Sequence, residues 1–120
     1  MRSDRIITTA AMAVVLAMGC QPAAGAQRSV QLGRQVAEDV CSACHVVSDD
    51  QVEPPILNPP APSFPLIASR KGLTERSIRA FVLDHRRKVR TGDMPDPMIT
   101  DAQGIDVSRY LMSLRKKAPN

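Results

Sequence analysis

The residues of this 120-residue chain best placed to do chemistry are consecutive: Cys41-Ser42-Ala43-Cys44-His45. C-x-x-C-H is a haem-attachment pattern. Two thiols three positions apart on a single turn can each add to one of the two vinyl groups of a haem, and the adjacent His45 then brings an imidazole nitrogen under the iron. The same residues have rival chemistries. A dithiol exchange pair calls for a βαβ setting with strands, and no such pattern is visible. Zinc calls for two further Cys or His ligands, yet beyond the pentapeptide the chain holds only Cys20, near the N-terminus, and His85. Covalent attachment of one haem through Cys41 and Cys44 is the reading the residues favour.

Elements to position that turn can be traced from apolar spacing. Leu32, Val36 and Val40 recur at four-residue steps and predict a helix from about Val30 running into Cys41. From Val46 to Pro65 six prolines and little periodicity predict a long irregular loop. Loops of that length in small domains carry function, and Ile56, Leu57, Phe64, Leu66 and Ile67 are candidates to line a ligand's apolar face. Ile78, Phe81 and Val82 predict a second helix from about Thr74, ending by Arg90. The last helix has the clearest start, a capping box in Thr100-Asp101-Ala102-Gln103. Val107, Tyr110, Leu111 and Leu114 form its apolar stripe, and Lys116 and Lys117 follow its C-terminal dipole. Gly104 inside it costs roughly 1 kcal/mol against Ala, which implies close packing or a bend there. The fold class expected is all-α, with no internal repeat.

Composition bounds the rest. With 43% apolar and 23% charged residues the chain is a single ordinary globular domain, but only 2% is aromatic: Phe64, Phe81 and Tyr110. A net charge of +4, with both signs interspersed, is too mild for a nucleic-acid binder. Residues 1–26 have the form of an export signal: Arg2 and Arg5, an apolar run over Ile6–Met18, and the A-x-A site Ala24-Gly25-Ala26, which predicts cleavage before Gln27. The run is too short to span a membrane, which takes about 20 apolar residues. The mature domain is then 27–120, located in the periplasm. A rival reading makes Cys20 the acylated residue of a lipoprotein, but Leu16-Ala17-Met18-Gly19 fits that box less well than Ala24-Gly25-Ala26 fits signal cleavage. A mature chain this short has a marginal core and would gain greatly from a cofactor.

Three patches in this order resemble the small monohaem cytochrome c family of bacteria over about residues 30–114. They are Gly33 eight residues before Cys41 in the helix leading to Cys41-x-x-Cys44-His45, then Ala61-Pro62-Ser63-Phe64, and finally Met94-Pro95 ahead of Ile99-Thr100 and Asp106–Leu114. The resemblance implies crossed N- and C-terminal helices around a covalently attached haem c, with Gly33 and Tyr110 at the crossing. It implies His45 as proximal and Met94 as distal iron ligand, and electron transfer, not catalysis, as the function. It also implies a proline carbonyl accepting the imidazole N–H, for which Pro54 and Pro55 are the candidates. Ala37 departs from the pattern, standing where many relatives carry an aromatic.

Met94 lies in a Gly-Asp-Met-Pro loop able to bend a thioether over a flat ring, whereas Met98 reads as packing, Met112 as core or helix surface and His85 as a solvated helix-end residue. A soft thioether favours reduced iron and raises the potential. Redox proteins with acidic faces are the expected partners for Arg70-Lys71, Arg86-Arg87-Lys88 and Arg90, set apart from Asp49, Asp50 and Glu53. The alternatives are an open sixth position that binds a gas or peroxide, and a subunit through which electrons enter an oxidoreductase complex.

Overall fold

The computed structural model describes residues 22–84 and 93–115. Helix α1 (Pro22–Val36) widens into a π-helical turn over Ala37–Cys41, and α2 (Phe64–Ala68), α3 (Glu75–Val82) and α4 (Asp101–Ser113) follow. Among the described residues there is no strand, only an isolated parallel bridge between His45 and Ala61. The all-α expectation holds.

Local chemistry explains where the helices start. The Thr100 hydroxyl accepts from the Gln103 amide at 3.3 Å while the Gln103 side chain accepts from the Thr100 amide at 2.9 Å, which is the capping box the sequence predicts. Thr74 and Ser77 exchange the same pair of bonds at the head of α3. Ser63 caps the short α2, and Pro65 sits in its first turn, where an N–H is not required. At the far end of α2 the Arg115 guanidinium donates to the carbonyls of Ala68 at 3.0 Å, Leu73 at 3.0 Å and Arg70 at 3.4 Å. One side chain on the end of α4 thus satisfies carbonyls that a helix terminus leaves open.

The crossing of α1 and α4 is the centre of the fold, and Gly33 makes it possible. A Cβ on Gly33 would lie 2.0 Å from the Asp106 carbonyl oxygen and 2.9 Å from the Tyr110 Cβ, so the two backbones touch where the resemblance placed Gly33 against Tyr110. Polar ties flank the contact: the Ser29 hydroxyl donates to the Asp106 carboxylate, and Arg109 donates to Ser29 at 3.0 Å while lying 3.7 Å from Glu75 of α3. Val36, Ala37, Val47, Phe64, Ala68, Ile78, Ile99, Val107, Tyr110 and Leu111 form the buried core.

Three expectations are corrected. The inward face of α1 is Ser29, Gly33, Val36 and Ala37, not Leu32-Val36-Val40; Leu32 and Val40 are exposed. Small residues let α4 approach on their side of the helix, and the π turn, closed by the Ser42 amide on the Ala37 carbonyl at 3.0 Å, brings Ala37 inside. Secondly, α1 begins before Val30, with residues 23–28 exposed. Thirdly, Phe81, expected on the apolar face of α3 with Ile78 and Val82, is 52% exposed, while α3 ends at Val82, before Arg90 as expected. Leu83 leaves helical geometry and lies over Gly104, where a Cβ would come 3.0 Å from three of its side-chain carbons. Close packing is therefore what Gly104 permits.

The two glycines should respond differently to Ala. In Gly33→Ala the obstructing atoms are backbone, so the helices must part. Overpacking typically costs about 1–3 kcal/mol, occasionally more, and the upper end applies here, a fall in Tm of roughly 10–20 °C for a domain of this size. In Gly104→Ala a flexible Leu83 can yield and helix propensity returns roughly 1 kcal/mol, so Tm should move by only a few degrees. Thermal melts of the two variants followed by far-UV circular dichroism check the contrast.

Candidate functional site

Cys41 closes the π turn, and the next residues fold over its carbonyl: the amides of Cys44 and His45 both donate to Cys41 O, at 3.1 and 2.9 Å. This puts two thiols and an imidazole on one tight turn. The proline-rich segment that follows is irregular, as expected, but it is fastened to that turn. The amides of Ile56 and Leu57 donate to Ala43 O at 2.9 and 3.1 Å, Ala61 N donates to Cys44 O at 2.8 Å, and Phe64 N donates to Val46 O at 2.9 Å. Inside the loop, Gln51 accepts from the Val47 amide at 2.8 Å and donates to Glu53 O at 2.7 Å, while the Tyr110 hydroxyl donates to Val47 O at 2.8 Å. Burial holds the Tyr110 phenol above its ordinary pKa and so keeps that proton in place. On the surface, Arg34 grips both carboxylate oxygens of Asp50 at 2.7 Å and Glu38 at 2.7 Å. The hydrogen bond from Arg34 holds the Asp50 carboxyl below its usual range.

His45 is 8% exposed. Its Nδ1 lies 2.7 Å from the carbonyl oxygen of Pro62. A carbonyl only accepts, so Nδ1 donates to it and Nε2 is the ring nitrogen left to face a metal. Such a partner fixes ring orientation and raises ligand basicity. Pro62 thus replaces Pro54 and Pro55, the acceptors expected from sequence. The loop has to return along Ala61, paired with His45, before a carbonyl reaches the ring, and Pro54 and Pro55 precede that return. The signal for Pro62 was its place beside Ala61 and Phe64 in the second resembling patch. Phe64, expected to line a ligand, is instead buried with its ring edge-on to His45. The loop role of Gln51 had no signal in the sequence.

Both cysteines are half-buried free thiols. Burial pushes the Cys41 thiol up to about 11, with the neighbouring Cys44 adding to the shift. A dithiol exchange catalyst needs a lowered thiol pKa, so this pair is poorly suited to it. Among the described residues no group of three or more His, Cys, Asp or Glu is placed to hold a metal ion. The donor set suits a macrocycle that brings its own iron: two thiols for covalent attachment and one basic imidazole nitrogen. Surroundings agree with it. Ile56 is 88% exposed and Leu57 and Leu66 are also exposed, with Ile56 and Leu57 pinned to the same turn through Ala43, while Ile67 packs against the core.

Met94 is half-buried in the irregular segment ahead of α4. Met98 is 82% exposed, with φ +55° and its amide bound by the Asp96 side chain at 2.8 Å. Met112, read as core or helix surface, lies against the core. His85 and the basic residues Arg86, Arg87, Lys88 and Arg90 lie outside the described residues. No described helix is long and apolar enough to cross a membrane.

A family model described as Cytochrome c matches residues 30–115. Neither a curated protein nor a solved structure matches the chain.

Proposed function

The chain belongs to the cytochrome c family, a family of haem-based electron carriers with covalently attached haem c, and on that premise we propose that Cys41 and Cys44 carry the thioethers and that His45 and Met94 hold the iron. The observation that carries this reading is the His45 imidazole, oriented through Nδ1 by Pro62 O at 2.7 Å beside two free thiols. Each attachment adds an S–H across a vinyl double bond with no net electron transfer, so both cysteines must arrive reduced. The haem iron supplies the one-electron couple. The chain's part is to hold the His45 ring in one orientation, and to let Met94 favour the reduced state through a soft thioether. With both axial positions filled, no substrate pocket or acid–base pair is required.

The proposed setting is a bacterial periplasm, reached through a signal in residues 1–26. In its favour, residues 23–28 are exposed and Ser29 is the first buried residue of α1, so cleavage before Gln27 spares the packed part of the helix. Acylation at Cys20 is the competing outcome, which the N-terminal mass of the exported protein decides.

The reading is tested on exported protein by its mass and its optical spectrum. One haem's mass should survive acid–acetone extraction, and carbon monoxide should leave the reduced spectrum unchanged. Two free thiols in the matured protein would overturn the attachment. A spectrum that responds to carbon monoxide would replace the carrier with a haem protein open at its sixth position.

Acidic redox proteins are the proposed partners. Arg70 and Lys71 are exposed, whereas on the acidic side Arg34 already engages Asp50 and Glu38. Surface charge of this kind raises association rates by roughly 10–1000-fold. The second-order electron-transfer rate should therefore fall with ionic strength, and neutralising Arg86, Arg87 and Lys88 should flatten that slope without altering the optical spectrum. A rate indifferent to salt would assign these residues to solubility alone.

A further inference from the structure

A hydrogen bond from Nδ1 fixes the direction of one ring atom of His45, but it leaves the ring plane free to swing about the line joining that nitrogen to Pro62 O. A second contact, off that line, is needed to hold the plane. Phe64 is placed to be that contact. Its ring centroid lies 5.6 Å from that of His45 at an interplanar angle of 62°, an edge geometry favoured by aromatic quadrupoles. Phe64 is only 5% exposed, so it has little room to give way. Behind it stands Tyr110, at 6.3 Å and 46°, whose hydroxyl is tied to Val47 O at 2.8 Å. The Phe64 amide is itself bound to Val46 O at 2.9 Å, and Ser63 between Pro62 and Phe64 caps α2. The carbonyl that holds Nδ1 and the ring that faces the imidazole therefore sit two residues apart on one anchored piece of chain.

We propose that Phe64 is a positioning residue that sets the plane of the His45 imidazole, with Tyr110 as its buttress. The inference rests on His45 being an axial ligand. In oxidised low-spin haem the plane of an axial imidazole sets the in-plane magnetic axes, and so the order and spread of the haem methyl proton resonances, a signature that general loss of stability does not change.

The test uses holoprotein and nuclear magnetic resonance. Wild type should first show His45 ring protons strongly shifted by the haem ring current in the reduced state, with a slowly exchanging Nδ1 proton. Their absence would overturn the assignment of His45, and this inference with it. Phe64→Leu, which keeps an apolar side chain of adequate size, should retain haem and the His/Met spectrum while the methyl resonances of the oxidised protein change order or collapse toward one another. Its Nδ1 proton should exchange up to roughly tenfold faster, the scale expected for losing one aromatic contact. Ile78→Val, a comparable loss in a part of the core away from His45, should keep the wild-type methyl pattern. If Phe64→Leu fails to mature, Phe64→Met fills the site with a more adaptable chain and is read in the same way. A wild-type methyl pattern and exchange rate in either holoprotein overturns this inference alone, leaving His45 positioned by Pro62 unaided.

Discussion

Cys41→Ala and His45→Ala are expected to leave a chain that is exported but does not hold its fold. The reason lies in how little the polypeptide buries by itself. Among the described residues the largest wholly buried side chains are Val47 and Ser108, and of the three aromatic rings Phe64 and Tyr110 lie in the core while Phe81 is 52% exposed. A domain near this size buries only about 60–70% of its unfolded surface, so the margin without a cofactor is narrow. His45→Ala removes more than the proposed iron ligand. It leaves Pro62 O without its donor and opens a cavity against Phe64, costs of about 1–3 kcal/mol and about 2–5 kcal/mol for groups of these kinds. Cys41→Ala removes a half-buried side chain that packs on the core, and with it one of the two proposed attachment bonds. Losses of this size exceed the ~1–2 kcal/mol that already changes cellular abundance several-fold. Haem content, far-UV circular dichroism and trypsin resistance of the exported variants check the expectation. Wild-type-like protection in haem-free protein would show that the chain supplies its own core.

The parts of the fold legible in the sequence are those specified by local chemistry or by a change of size. The α4 capping box is written in Thr100 and Gln103, which bond as their spacing requires. Gly104 was legible as a gap and Gly33 was placed at the crossing by the resemblance, and both spaces are filled, by Leu83 and by the α4 backbone. The inward face of α1 was not legible, because Ser29, Gly33 and Ala37 carry almost no hydropathy signal while Leu32 and Val40 carry a strong one on the wrong face. Small residues win there because they allow backbone contact with α4, a tertiary gain that periodicity does not register. The same limit applies to His45. That its ring would need an acceptor was foreseeable, but which carbonyl arrives depends on where a twenty-residue loop turns back, and that is fixed by hydrogen bonds from the backbone amides of Ile56, Leu57 and Ala61, groups every residue but proline possesses.

Met94→Ala is expected to change the electronic properties of the iron as sharply as His45→Ala changes the fold, while leaving the fold in place. Met94 is half-buried in an irregular segment, between residues outside the described set and the well-anchored Ile99 and Thr100 that begin α4. Ile99 is buried, so the α4 end of this segment is fixed regardless of the side chain at position 94. Met98 is a poor substitute. Its backbone sits at φ +55°, its amide is held by Asp96, and its side chain faces solvent. Loss of the thioether should therefore empty the sixth position and not transfer it. The weak charge-transfer band of oxidised His/Met haem and the strongly upfield methyl resonance of the reduced state should vanish, and carbon monoxide should bind. The potential should fall by on the order of 0.1 V or more, part of the ~0.8 V span that axial ligands command. Met98→Ala should preserve both signals and the inertness to carbon monoxide. Loss of the signals in Met98→Ala, with their retention in Met94→Ala, would exchange the two methionines and require the segment to turn the other side chain toward the iron.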